Sequence, residues 1–259
     1  MLLSLACFAA ERVRPWRPRQ RALRAGFAQD LGWLLLNGHY LPLLLGTGMA
    51  WTLWWLSGFW GWIESARLIA AWPAWAQFAI ALLVKDLCEW GVHNLLHRVP
   101  WLWEFHKVHH SIRELDWIGN FRFHWMEPVV YRTLAYLPPA LLGTDPAIVF
   151  ALGVFSTAIG HLNHANLDLS WGPLRYVLNS PRMHVWHHAL HFPAQHPRGA
   201  NFGVVLSLWD WLFGTAWWPS PEQAPSQAPP ELGFPGQEQL PESLGGRLLH
   251  PLQRLRAPR

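Results

Sequence analysis

Thirteen of the 15 histidines fall between His93 and His196, a window of about two-fifths of the chain, and ten of them form four compact boxes: HNLLH (93–97), HKVHH (106–110), HLNH (161–164) and HVWHH (184–188). On an α-helix, residues i and i+4 stand one turn apart on the same face, so His93 and His97 can aim both imidazoles at one point. In HxxHH the residues i, i+3 and i+4 span an arc of ~100° at 3.6 residues per turn. That arc lets His106, His109 and His110, and likewise His184, His187 and His188, serve two metal ions at once. With His161 and His164 closing the set, the boxes describe a cage of imidazole nitrogens for two ions.

Neutral imidazole suits iron, zinc, copper and nickel, so the boxes alone leave the metal open. Several alternatives fit poorly. A heme bundle needs one axial histidine on each of two helices, which leaves most of the ten unexplained. A zinc hydrolase of the HExxH kind and a soluble carboxylate-bridged di-iron bundle with Glu-x-x-His lack their motifs here. A membrane metal transporter is the non-enzymatic alternative, but it should carry ionisable residues at mid-span, whereas these boxes sit at the ends of apolar segments. His39, inside an apolar stretch, and His250, near the carboxyl end, read as isolated histidines without a metal role. His191 and His196 are expected near the site without binding metal.

The elements that must position the boxes are apolar and helical. Leu31 to Ile63 holds no Asp, Glu, Lys or Arg, which is more than one bilayer span requires, with Pro42, Gly46 and Gly48 available to bend or interrupt it. One long tilted helix or a hairpin satisfies that stretch. Leu68 to Val84 is uncharged, and its helix is expected to run on through Lys85, Asp86 and Glu89 into the first box. Thr133 to Gly160 carries one charge, Asp145, beside Pro146; the pair marks a turn, dividing the region into a helical hairpin. Residues 1 to 10 are too short to span and read as a stub of a first span rather than a signal peptide. The Pro- and Gln-rich stretch from Pro219 reads as an extended or disordered tail with a short basic helix at its end.

Composition agrees with a bilayer. Apolar residues make up 51% of the 259 residues and charged residues only 14%, too few to cover a water-facing surface. The 20 tryptophans suit a hydrocarbon–headgroup boundary. The net charge of +4 comes from arginine, densest at Arg12, Arg14, Arg17, Arg19, Arg21 and Arg24, just before the first long apolar stretch. That position marks a cytoplasmic flank by the positive-inside rule and excludes nucleic acid as the partner. Cys7 and Cys88 are too few for a disulfide framework or a thiolate zinc site. The resulting organisation is 1–72 as basic segment and membrane helices, 73–218 as catalytic domain with a membrane hairpin, and 219–259 as tail. The expected fold is all-α: an integral membrane helical bundle with a cytosolic, histidine-rich di-metal cap.

In order along the chain, HNLLHRVPWLWEFHKVHHS, FRFHWMEP, NHANL, SPRMHVWHH and NFGVVLSLWDWLFGT resemble the fatty acid hydroxylase and sterol desaturase superfamily over roughly residues 75–215. The resemblance implies two iron ions held by His93, His97, His106, His109, His110, His184, His187 and His188. His164 also matches a family histidine, while His161 sits in HLNH, whose gap departs from that of some members. His124 and Glu127 in FHWMEP, with Asn201, are implied as residues that orient ligands. The implied activity is O2-dependent hydroxylation of a lipid C–H bond, with desaturation at the same site as the alternative. No dinucleotide fingerprint, heme-attachment motif or ferredoxin cysteine motif occurs, so electrons are expected from a separate reductase. The lipid is expected to arrive from the bilayer, in a bacterial inner membrane with the active site facing the cytoplasm.

Overall fold

The computed structural model describes residues 2–47, 68–220 and 230–256. Among them no strand forms, and the fold is all-helical. The helices are α1 (Leu2–Val13), α2 (Phe27–Trp33, continued by a π-helical stretch Leu34–Tyr40), α3 (Ala74–Arg98), α4 (Pro100–His110), α5 (Met126–Leu141), α6 (Pro146–His164), α7 (Pro181–His187), α8 (Leu208–Leu212) and α9 (Leu244–Arg256). The expectation for Leu31–Ile63 is met by helix as far as residue 47, and its remainder lies outside the described residues.

The longest helix, α3, packs along α5 and α6 and carries the first box on its last two turns. Val99 ends it in an extended conformation, and Pro100 starts α4 at its first position, where a missing N–H costs nothing. The two helices therefore meet at a sharp corner that turns the HKVHH box back toward HNLLH. The turn expected at Asp145 is present: its side chain caps α6 by accepting from the Ala147 N–H at 2.7 Å, and Pro146 opens the helix. Helices α5 and α6 thus form a hairpin, and α6 is the one helix among the described residues long and apolar enough to cross a membrane.

One amino-terminal expectation is corrected. Helix α1 is no mere stub of a span: Cys7 joins Trp117 and Ile118 in a core, and the buried Glu11 accepts from the backbone N–H groups of Trp117 (2.8 Å) and Asn166 (2.9 Å). The arginine run is partly internal as well. Arg24 and Arg122 share the buried Asp30, Arg24 also reaches Asp116 at 2.6 Å, and Arg17 donates to the Pro230 carbonyl. Two cations against two carboxylates neutralise one another, which allows all four to be buried.

The carboxyl-terminal segment is the larger correction. From Pro230 it folds back: Glu231 O accepts from Leu190 N–H, Gly233 N–H donates to His188 O, and Leu232 is buried with Ile112, Leu115 and Val185. Proline-rich composition hid the reason, which is that Leu232, Phe234 and Leu240 are spaced so that each is buried, an apolar pattern too short to shift a composition average. The short basic helix expected at the end is α9.

Candidate metal centre

Nine imidazoles converge in two adjoining groups: His93, His97, His106, His110 and His187 in one, and His109, His164, His184 and His188 in the other, with the ligand atoms of each group within 4.8 Å of one another. The partition follows from helix geometry. Residues i and i+4 differ by ~40° around the axis and stay together, as 93/97, 106/110 and 184/188 do; residue i+3 lies ~60° to the other side and crosses over. His109 and His187 are these crossing residues, so each HxxHH box contributes to both groups.

His161 belongs to neither group, contrary to the sequence expectation. Three residues before His164 on α6, it points ~60° away from that ring. Its Nδ1 lies 2.8 Å from the Thr157 carbonyl, its Nε2 lies 3.2 Å from Ser4 Oγ, and its ring stacks on Trp117. His39 and His250 also stand apart from both groups, and His196 packs against Trp217.

Most of the nine rings are held by Nδ1. His93 donates to Phe202 O (2.7 Å), His187 to Ala200 O (2.8 Å), His109 to Arg122 O (3.0 Å) and His164 to Gly160 O (2.8 Å). His106 Nδ1 meets Glu127 Oε2 at 2.6 Å, and Glu127 Oε1 accepts from the His124 N–H. A carbonyl oxygen can only accept, so the proton sits on Nδ1 and a lone pair is left on Nε2, facing inward. Glu127 thus holds one ring of the five-histidine group. His124 acts through its backbone; its side chain donates to Leu248 O at 2.9 Å and clamps α9. Asn201, in the left-handed region that asparagine tolerates, donates to Met183 O and Trp217 O, tying the irregular segment 200–206 to α7.

That segment carries the Ala200 and Phe202 carbonyls, and two carboxylates fix it. Asp210 accepts from the Phe202 and Gly203 N–H groups at 2.8 and 2.7 Å, and Asp86 accepts from Val205 and Leu206 at 2.9 Å each. A side chain at Gly203 would collide with the Leu206 carbonyl. Sequence reading quoted Asp210 within WDWLFGT and Asp86 within α3 without giving either this role. Ser180 caps the short α7 by accepting from Met183 N–H, which sets the last box.

The donor set fits metal ions. His109 and His164 both carry their protons on Nδ1, yet their Nε2 atoms lie 3.3 Å apart, two lone pairs face to face. Only a cation between them makes that arrangement favourable, and two nitrogens each ~2.1 Å from one ion at 90–109° are ~3.0–3.4 Å apart. The Nε2 atoms of His97, His110 and His187 are buried with no hydrogen-bond partner, which the remaining inward lone pairs also require. Burial, reinforced by the neighbouring rings, holds His106, His109, His110, His184 and His188 far below the usual imidazole range, and burial together with the nearby His93 does so for His187. The rings are therefore neutral, which is the ligating form.

Fold and site together define a helical protein of the histidine-box kind. The chain belongs to the fatty acid hydroxylase family, whose profile matches residues 78–215 and so spans every residue of both groups. It is 33% identical over 144 residues to ornithine lipid hydroxylase OlsE of Rhizobium tropici, covering 56% of this chain and 43% of that protein. It is 29% identical to cholesterol 25-hydroxylase-like protein 2 of Danio rerio, with 62% and 59% covered, and 26% identical to human alkylglycerol monooxygenase, with 54% and 30% covered. The chain thus spans less than two-thirds of the length of each of these relatives. No solved structure gives a significant match.

Proposed function

We propose that this protein is an integral membrane lipid hydroxylase that uses two iron ions, dioxygen and electrons from a separate reductase. The observation that carries the reading is the pair of buried imidazole groups with inward, unpartnered nitrogens. His93, His97, His106, His110 and His187 would hold one iron, and His109, His164, His184 and His188 the other. When bound, such a pair supplies the two-electron activation of dioxygen that side chains alone cannot perform. The balance is one oxygen atom into a C–H bond and one into water, consuming two electrons and two protons.

The chain's own groups supply orientation and exclusion of water. Backbone carbonyls and Glu127 fix the rings, so no imidazole must reorganise during turnover. Burial pushes the Glu127 carboxyl up to about 8, and its Oε2, 2.6 Å from His106 Nδ1, can hold a proton within that pair.

A bilayer location is supported by α6 and by large apolar side chains exposed on the α5–α6 hairpin, among them Leu134, Leu137, Leu141, Phe150 and Val154. The exposed Arg14, Arg19 and Arg21 lie at the same end as the histidines, because Trp16 N–H donates to Asn166 O, two residues past His164. The positive-inside rule then favours a cytoplasmic metal centre in a bacterial inner membrane. Hydroxylation is favoured over desaturation because the relatives named above are hydroxylases or monooxygenases.

The test is reconstituted protein given an electron donor, a membrane lipid extract and 18O2, with the lipids read by mass spectrometry. A new hydroxyl carrying 18O is expected. Loss of two hydrogens without label indicates the desaturase, and oxygen derived only from water refutes both.

A further inference from the structure

A cavity of about 450 Å³ opens directly on His97 and His110, two rings of the five-histidine group whose Nε2 atoms have no partner. Trp103 stands over both rings, with centroids 5.1 and 5.3 Å away, and Phe234 from the folded-back carboxyl segment meets Trp103 edge-on at 5.7 Å. Leu190 and Phe192 complete an apolar wall. The polar lining beyond the two ligand rings comes from His191 and the exposed Arg198, and no carboxylate lines the space. Arg198 has no ion-pair partner among the described residues, while its backbone carbonyl accepts from His97.

We propose, resting on the hydroxylase reading, that this cavity is the substrate site, that it takes an acyl lipid bearing a single anionic group, and that Arg198 binds the anion. The size is that of a ligand pocket, and aromatic walls with one orienting charge are the usual lining. A guanidinium recognises carboxylate or phosphate geometry, and with no acidic residue present a cationic headgroup finds no partner. The residue that meets the anion also holds His97 through its carbonyl, so Arg198 sets the distance from the charged group to the carbon presented to the metal. The wall formed by Phe234 gives the carboxyl-terminal segment a role in substrate choice.

The experiment is equilibrium binding to the detergent-purified full chain, without turnover, using radiolabelled oleate and oleyl alcohol, which share a chain and differ in charge, with inorganic phosphate as competitor. Oleate is expected to bind about fivefold more tightly than the alcohol, the scale of an exposed ion pair. R198Q should abolish that preference, R198K should keep most of it, and L190W, which narrows the cavity, should weaken both probes, all with metal content unchanged. An R198Q preference equal to the parent's overturns the proposal, as does displacement of oleate by phosphate alone, which would indicate an anion site without a lipid. Since binding is read without oxidation, failure of the hydroxylase assay and failure of this proposal are separate results.

Discussion

Glu127→Gln is the sharpest probe of how the centre is built, because it alters one contact of one ring. In the parent, Glu127 Oε2 lies 2.6 Å from His106 Nδ1, and Oε1 accepts from the His124 N–H at 3.2 Å. Glutamine keeps the shape. Its one carbonyl oxygen can still accept from His106, but it cannot supply the charge assistance that an ionised carboxylate gives when a cation sits on the ring, and the amide then turns an N–H toward the His124 N–H. Charge-assisted bonds are about twice as strong as neutral ones, so the loss is ~1–1.5 kcal/mol, or about tenfold in affinity at the five-histidine group. Glu127→Ala leaves a buried Nδ1–H with no acceptor, worth ~1–3 kcal/mol, or about 5- to 150-fold. The assay is chelator competition with cobalt(II) or iron(II), following ligand-field bands and metal per chain, with helicity as the folding control. One equivalent should weaken in the order Gln then Ala while the four-histidine group, which Glu127 does not touch, keeps its ion. Unchanged affinity in both variants, or equal loss of both equivalents with helicity intact, would refute the reasoning.

Three further outcomes are expected. His161→Ala should leave metal content near the parent value, whereas His164→Ala should lose about one equivalent; metal analysis of the purified variants decides, and equal losses would put His161 back in the centre. Asp210→Asn offers one acceptor oxygen where Phe202 and Gly203 present two N–H groups, so it should cost ~2–3 kcal/mol, read as a lowered melting temperature together with weaker metal retention, because the carbonyl of Phe202 holds His93. The metal-free protein should lose stability as pH falls below about 6.5, where unfolded imidazoles take protons that the nine buried, depressed rings of the two groups refuse; each contributes ~1.4 kcal/mol per pH unit. Five buried carboxyl groups act in the opposite direction, Glu127 raised by burial to about 8, Glu11 and Asp86 to about 7, Asp210 to about 6, and Asp116 raised as well, but they are outnumbered by the nine imidazoles. Thermal melts in detergent across pH 5 to 8 check the sign.

The grouping of the histidine boxes was legible because their spacing is a property of the helix itself: once HxxHH is helical, the crossing of His109 and His187 between groups follows from 3.6 residues per turn. The turn at Asp145 was legible for the same local reason. What orients the rings was not. Four of the five Nδ1 contacts described above end on backbone carbonyls, and every residue has one, so nothing in the identities of Phe202, Ala200, Arg122 or Gly160 signals the role. The direction of His161 was not legible: an i, i+3 pair can point into one site or straddle two environments, and the choice depends on Ser4 and Trp117, far away in sequence. The tail was misread because its packing rests on a few apolar residues, Leu232, Phe234 and Leu240, against partners that only the folded chain brings near.

The two histidine groups are unequal in their surroundings, and the inequality bears on where oxidation occurs. The cavity reaches His97 and His110, both in the five-histidine group, and none of the four in the other group lines it. The second group is closed in by protein: His109 stacks on Phe123 at 4.3 Å, His164 sits on the last turn of α6, and all four rings are buried. The five-histidine group also holds the ring that meets a carboxyl group, His106 with Glu127, so the group that the cavity reaches is the one with an acidic side chain attached. On the proposed reading, a substrate carbon entering beside Trp103 would approach an ion held by the five-histidine group first. Changes at Glu127 or Trp103 should therefore alter the site and yield of oxidation, whereas changes behind the four-histidine group should act on metal retention alone.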